Sequence, residues 1–174
     1  MDSLAGQLLI ASPTLTDYFE RAVVLVLAHA EEGAMGVVLN RRSEVDVADA
    51  VPILAEAVDD DDLVYLGGPV SPRSVVALAE FDDPGEAATP LFGPVGVLDP
   101  ERADASVARL RVFAGYAGWG AGQLEGELEE EAWFPVPAEP DDPFRDEDLW
   151  PVALRRKGGA YALLARMPAD PSLN

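Results

Sequence analysis

The sequence predicts an α+β fold: a single domain, residues 1–174, with a mixed, largely antiparallel sheet, a few helices and long crossover loops. Three observations lead there. Strand-like apolar runs crowd the chain before residue 115. The runs at residues 22–28 and 37–39 stand too close together for a crossover helix, so they pair as an antiparallel hairpin. Helical patterns occur singly and do not alternate with strands, which argues against a doubly wound sheet. No internal repeat or interdomain linker interrupts the chain.

The elements follow in order. Residues 7–11 read as a first strand, stopped by Ser12-Pro13. Residues 22–28 are a continuous valine-rich run, as in a central strand buried on both faces. Gly33 and Gly36 frame a turn, and Val37-Val38-Leu39 return. Asp46 then serves as N-cap to a helix marked by Val47, Val51, Leu54 and Val58, which Pro52 disturbs. The acidic run 59–62 is a solvated loop; a calcium loop needs spaced ligands and a turning glycine. Residues 63–66 form a strand that enters a tight turn at Gly67-Gly68-Pro69. Further strands are expected at 75–78, 95–98 and 111–114, with a loop at 82–90 and a short helix within 100–109. A glycine-rich loop at 115–122 opens a helix from Gln123 to about Ala132. Residues 135–143, rich in proline and acid, run extended over the surface. Asp146 opens a last helix, with Pro151 in its first turn, Arg155, Arg156 and Lys157 near its end and Gly158 to stop it. Residues 161–164 are a final strand or short apolar tail.

Composition excludes several functions. Lys+Arg number 12 against 32 Asp+Glu, for a net charge of -20. Such a surface repels nucleic acid and anionic lipid, so direct nucleic-acid binding is disfavoured. With no cysteine, disulfides, thiolate metal sites and cysteine nucleophiles are ruled out. His29 is the sole histidine, so two-histidine metal motifs are ruled out too. No metal or cofactor is expected. The first basic residue is Arg21, and the run 22–28 is too short to span a bilayer, so a cytoplasmic protein without a membrane association is expected.

Few residues are left to carry chemistry. His29 ends the buried strand just before Glu31-Glu32; as a general base it would need a nucleophile and an orienting acid within reach. Otherwise it is a strand-end histidine bonded to backbone. The segment containing Gly118, Trp119, Gly120, Gly122 and Gln123 stands where a phosphate loop would stand. Its spacing does not fit such a loop, and Glu125 and Glu127 already occupy the positive end of the following helix. Two readings stay open: Trp119 packs into the core, or the segment lines a pocket or partner site. Asn40 and Arg41, with Arg42, form a small basic patch, either an anion site or counter-charge to an acidic surface. Gly67 and Gly68 read first as turn residues.

These pieces come in a recognisable order. Gly6-Gln7-Leu8-Leu9-Ile10-Ala11, Phe19-Glu20-Arg21, His29, the run from Gly33 to Asn40, Gly67-Gly68-Pro69-Val70, the segment from Gly115 to Glu125, Trp133 and Trp150 together resemble the YqgE/AlgH family over nearly the whole chain. The resemblance implies a small bacterial protein with a complex sheet and crossover loops, no established activity or cofactor, and a label of transcriptional regulator. Arg42 and Ala121 stand where the family usually has proline. The function expected is that of a non-enzymatic regulatory or adaptor protein acting on an unknown protein partner or small ligand. The alternatives are an enzyme using His29 and Glu125, or a transcriptional regulator. An enzyme should show a pocket where His29 meets a carboxylate; a DNA binder should show a basic face.

Overall fold

The computed structural model describes residues 2–102 and 105–167. Among them are ten strands and four short helices. The strands are β1 (Gln7–Ala11), β2 (Val23–Ala30), β3 (Gly33–Val38), β4 (Arg42–Asp46), β5 (Leu63–Leu66), β6 (Val70–Phe81), β7 (Thr89–Phe92), β8 (Val95–Leu98), β9 (Val107–Gly120) and β10 (Trp133–Pro137). The helices are α1 (Val47–Ala50), α2 (Gln123–Glu129), α3 (Leu149–Lys157) and α4 (Ala160–Leu164). The main strand order is β10-β1-β2-β3-β9-β6-β8-β7, and β5 joins β4 to β9. β5 pairs with β9 in parallel and the other pairings are antiparallel, so the sheet is mixed and largely antiparallel.

The central strands are apolar on both faces because both faces are covered. Leu8, Ile10 and Leu25 pack with Leu149, Trp150 and Leu154 of α3. Leu9, Ala11, Val24 and Val26 point the other way, toward Trp119, Trp133 and Leu124 of α2. A third cluster sets Val47 and Leu54 against Ala77, Ala79 and Val112. α3 is capped by Asp148, whose carboxylate accepts from the Trp150 amide at 3.1 Å, and it ends on Gly158 with φ 80°.

β9 links the two halves of the sheet. Its first part pairs with β5 and β6, and its last residues pair with β3, from Gly36↔Ala117 to Gly33↔Gly120. Between them stands Gly115 with φ 75°; a Cβ there would lie 2.4 Å from the Gly68 carbonyl oxygen. A Cβ on Gly68 would lie 2.1 Å from the Tyr116 carbonyl carbon. Two backbones touch at this crossing, and only glycine leaves room for that.

Several expectations are corrected. Residues 115–120 are strand, not loop: glycine disfavours strands locally, but the ladder to β3 overrides that preference. Gly33 and Gly36 likewise lie within β3, and the turn falls on residues 31–32. The helix after Asp46 lasts one turn and gives way to a 3-10 turn at Pro52–Leu54, because Pro52 lacks the amide that would continue it. The helix expected within 100–109 is a 3-10 turn at Pro100–Arg102, with residues 103–104 outside the described residues and β9 already running from Val107. The last helix opens at Asp148, not Asp146. Residues 161–164 are helical and pack on α3, with Tyr161 edge-on to Phe134 at 4.9 Å. β4, β7 and β10 escape a sequence reading. β4 is polar, and β7 and β10 carry Pro90, Pro135 and Pro137, which are tolerated because both strands are edges. No helix among the described residues is long and apolar enough to cross a membrane.

Candidate functional site

β2 and β3 meet α2 at one corner of the sheet, and His29 lies there. Its side chain is 4% exposed. Nδ1 accepts the Leu4 amide proton at 3.0 Å, so the ring proton sits on Nε2, which donates to Glu125 Oε1 at 2.5 Å. Glu125 stands in the first turn of α2, and its carboxyl is held below the ordinary carboxylate range, first by the His29 hydrogen bond and then by the backbone amide of its own residue. A cleft of about 620 Å³ opens beside the pair, lined also by Ser3, Ala30, Glu31, Glu32 and Gly122. Both ring nitrogens are engaged, so His29 has no free lone pair with which to take a proton. It orients Glu125 instead, and the carboxylate is the group that faces the cleft.

Behind the pair, Trp119 is 7% exposed. Its Nε1 donates to Glu127 Oε1 at 3.1 Å, and Trp133 Nε1 donates to the same oxygen at 2.9 Å. The two indoles meet edge to face at 5.9 Å. Gln123 is fully used: its Oε1 accepts from the Gly120 amide and its Nε2 donates to Glu127. Gly122, with φ 75°, turns the chain from β9 into α2. The outer face of the last residues of β9 is thinly covered. Gly118 and Gly120 are exposed, and a Cβ at either would meet nothing closer than 3.7 Å. Their cross-strand partners are Met35 and Gly33, which in turn pair with Ala28 and Ala30. Directly opposite residues share a face, so around Gly118 and Gly120 this face carries only Met35, Ala28 and Ala30, with the Tyr116 and Val70 side chains at its edge.

A family model described as AlgH-like matches residues 8–162. The chain belongs to the AlgH-like family. A UPF0301 protein of Streptomyces coelicolor is 48% identical, over 100% of this chain and 97% of its own length. A crystal structure of a protein from Corynebacterium diphtheriae matches with a TM-score of 0.84 at 32% identity, covering 92% of this chain and 91% of that one. The solution structure of the AlgH protein from Pseudomonas aeruginosa matches with a TM-score of 0.70 at 29% identity, covering 95% and 94% of the two chains.

Elsewhere in this AlgH-like chain the candidate residues are separated. Asn40 and Arg41 lie at the opposite end of β3 from His29. Asn40 Oδ1 accepts from the Val23 amide and its Nδ2 donates to the Arg21 carbonyl and to Asp148, tying the hairpin to the start of α3. Arg41 donates to the Glu20 carbonyl and stacks over Tyr18 at 4.7 Å. Gly67 and Gly68 belong to the β-crossing and not to the corner. The hydroxyls of Ser12 and Thr14 bond to each other beyond the end of β1 that lies away from His29. Sequence reading missed two features. Asp142, 1% exposed, accepts from Arg156 through both oxygens at 2.7 Å and from Arg145 at 3.2 Å. A polar groove over β5 and β9 holds Arg42, Tyr65 and Arg111. Nothing local marks the groove, whose lining comes from distant segments; Asp142 and Arg145 are only three residues apart, but their burial and the partner Arg156 depend on how the chain folds back before α3.

Proposed function

We propose that this AlgH-like protein is a non-enzymatic regulatory or adaptor protein, acting through protein contacts or a small ligand at the outer face of β9. The observation that carries the reading is the pair Gly118 and Gly120. A glycine inside a strand costs about 0.5–1 kcal/mol relative to alanine. Gly68 and Gly115 have a steric reason for that cost; Gly118 and Gly120 have none among the described residues. A thinly covered strand face lets a partner's backbone or a flat group come close to the sheet. The state of His29 supports the same reading, because its ring is held in one tautomer with both nitrogens bonded.

One observation favours the enzymatic alternative: His29 and Glu125 meet beside a cleft. In that case Glu125 is the acting group and His29 positions it. Direct transcriptional regulation by DNA binding is opposed by the net charge of -20.

Affinity capture from native extract, with wild type, Gly118→Arg and His29→Gln as baits, tests the proposal. Position 118 is exposed and a Cβ there makes only ordinary contacts, none closer than 3.7 Å, so Gly118→Arg should keep the wild-type melting temperature. The expected result is a partner retained by wild type and His29→Gln and lost from Gly118→Arg. Identical partners on wild type and Gly118→Arg would remove β9 as the contact face. Loss with His29→Gln alone would favour the enzyme.

A further inference from the structure

The groove beside β5 is built differently from the corner at His29. It has a volume of about 320 Å³, at the small end of the ~300–1,000 Å³ usual for ligand sites. Tyr65 forms part of its floor. That residue is 5% exposed, its ring lies beneath the Arg111 guanidinium at 4.2 Å, and its hydroxyl makes no hydrogen bond with any described residue. No buried side-chain polar atom lacks a partner among the described residues, so this hydroxyl is not sealed in the core but opens on the groove. Arg42, directly opposite Tyr65 in the β4–β5 pairing, lines the same groove and makes no ion pair among the described residues. Arg111 is already committed, donating to Asp146 at 2.8 Å and to the Arg145 carbonyl at 2.6 Å. Asp61 and Asp62 also line the groove, and neither meets a cationic group among the described residues.

The groove therefore carries an exposed guanidinium without an ion pair, a phenol open to the groove, and two carboxylates without a cationic partner, of which Asp62 already accepts the Asp59 amide. We infer that it binds a small zwitterion of the α-amino-acid class. Arg42 takes the ligand carboxylate through parallel N–H donors, and the Tyr65 hydroxyl donates to the same group. Asp61 and Asp62 accept from the ammonium, which offers three donors. The whole-molecule field decides between a zwitterion and a simple anion. A net charge of -20 repels an anion on approach, whereas a ligand of zero net charge meets no such barrier. The size of the groove excludes a nucleotide in favour of a single amino acid. The site lies apart from Gly118 and Gly120, so it stands or falls separately from the adaptor reading.

The test is an NMR titration of the ¹⁵N-labelled protein with pools of free L-amino acids, followed by calorimetry on the strongest binder. That amino acid is compared with its α-amide, which keeps only the ammonium, and its N-acetyl form, which keeps only the carboxylate. Both blocked forms are expected to bind about tenfold more weakly or worse. Tyr65→Phe and Arg42→Gln should each weaken binding by about tenfold at an unchanged melting temperature, and Gly118→Arg should leave it unaltered. Three results overturn the inference: no amino acid perturbs the Tyr65 and Arg42 strands at millimolar concentration, the amide binds as well as its parent, or both groove variants bind like wild type. The second result would mean that Asp61 and Asp62 merely collect cations.

Discussion

Asp142 lies buried between Arg156 and Arg145, and its amide-side contact is the Glu139 N–H at 2.7 Å. Burial pushes its carboxyl pKa up, but hydrogen bonds from Arg156, Glu139 and Arg145 more than offset this and hold it below the ordinary range. A depressed folded value means that the ionised carboxylate stabilises the fold above the unfolded carboxylate range, near 4. That contribution is lost as pH falls through the folded value. Asp142→Asn removes the negative charge and leaves two arginines facing a neutral amide. It should cost about 3 kcal/mol near neutral pH, read from urea denaturation. The gap in melting temperature between wild type and variant should narrow as pH drops below about 4; a gap independent of pH would contradict the assignment. His29 gives a second residue-scale prediction. A glutamine can accept from Leu4 and donate to Glu125 as the neutral imidazole does, so His29→Gln should cost about 1 kcal/mol or less. His29→Ala leaves both partners unmet and should be clearly less stable than His29→Gln in the same titration. Equal midpoints for the two variants would mean that the ring contributes only packing.

At the scale of elements, β9 shows what glycine does in each setting. Gly115 and Gly68 permit two backbones to cross, and a Cβ at either would collide with main-chain atoms that cannot move aside. Gly115→Ala should therefore abolish soluble expression or lower the melting temperature severely. Gly120→Ala would meet only Gln123 Oε1, at 3.9 Å, an ordinary contact, in a backbone conformation any residue adopts. It should leave stability unchanged or raise it by up to about 1 kcal/mol. Thermal denaturation of the two variants side by side settles the point, and similar melting temperatures would refute the crossing as the reason for Gly115. Strands bounded by local signals were legible: residues 7–11, 63–66 and 95–98 coincide with β1, β5 and β8, and the hairpin at 22–39 is present. Each is a short apolar run ended by Pro, Gly or Asp. β10 and the end of β9 were not legible, because they are rich in proline and glycine and become strands only through their partners, β1 and β3.

At the scale of the whole molecule, charge governs what can approach. A net charge of -20 with 12 scattered cations lacks the counterion release that drives duplex binding. Fluorescence anisotropy with labelled duplex DNA at physiological salt should show no binding; affinity at about micromolar or tighter would contradict this. Charge, the absence of cysteine and the single histidine are sums over the chain, so the sequence alone determines them and the chemistries they exclude. It also determines where apolar runs and breakers stand, hence the mixed sheet and its early hairpin. Which residues touch is another matter. His29 and Glu125 are legible as titratable residues of interest, but they are 96 positions apart, and only the packing of α2 on β2 and β3 brings them to 2.5 Å. Arg42 and Tyr65 share a groove because β4 pairs with β5, and Asp142 meets Arg156 because the segment before α3 folds back on the helix. Side-chain contact depends on long-range register, which is fixed cooperatively by burial over the whole sheet, and no local stretch of sequence encodes it.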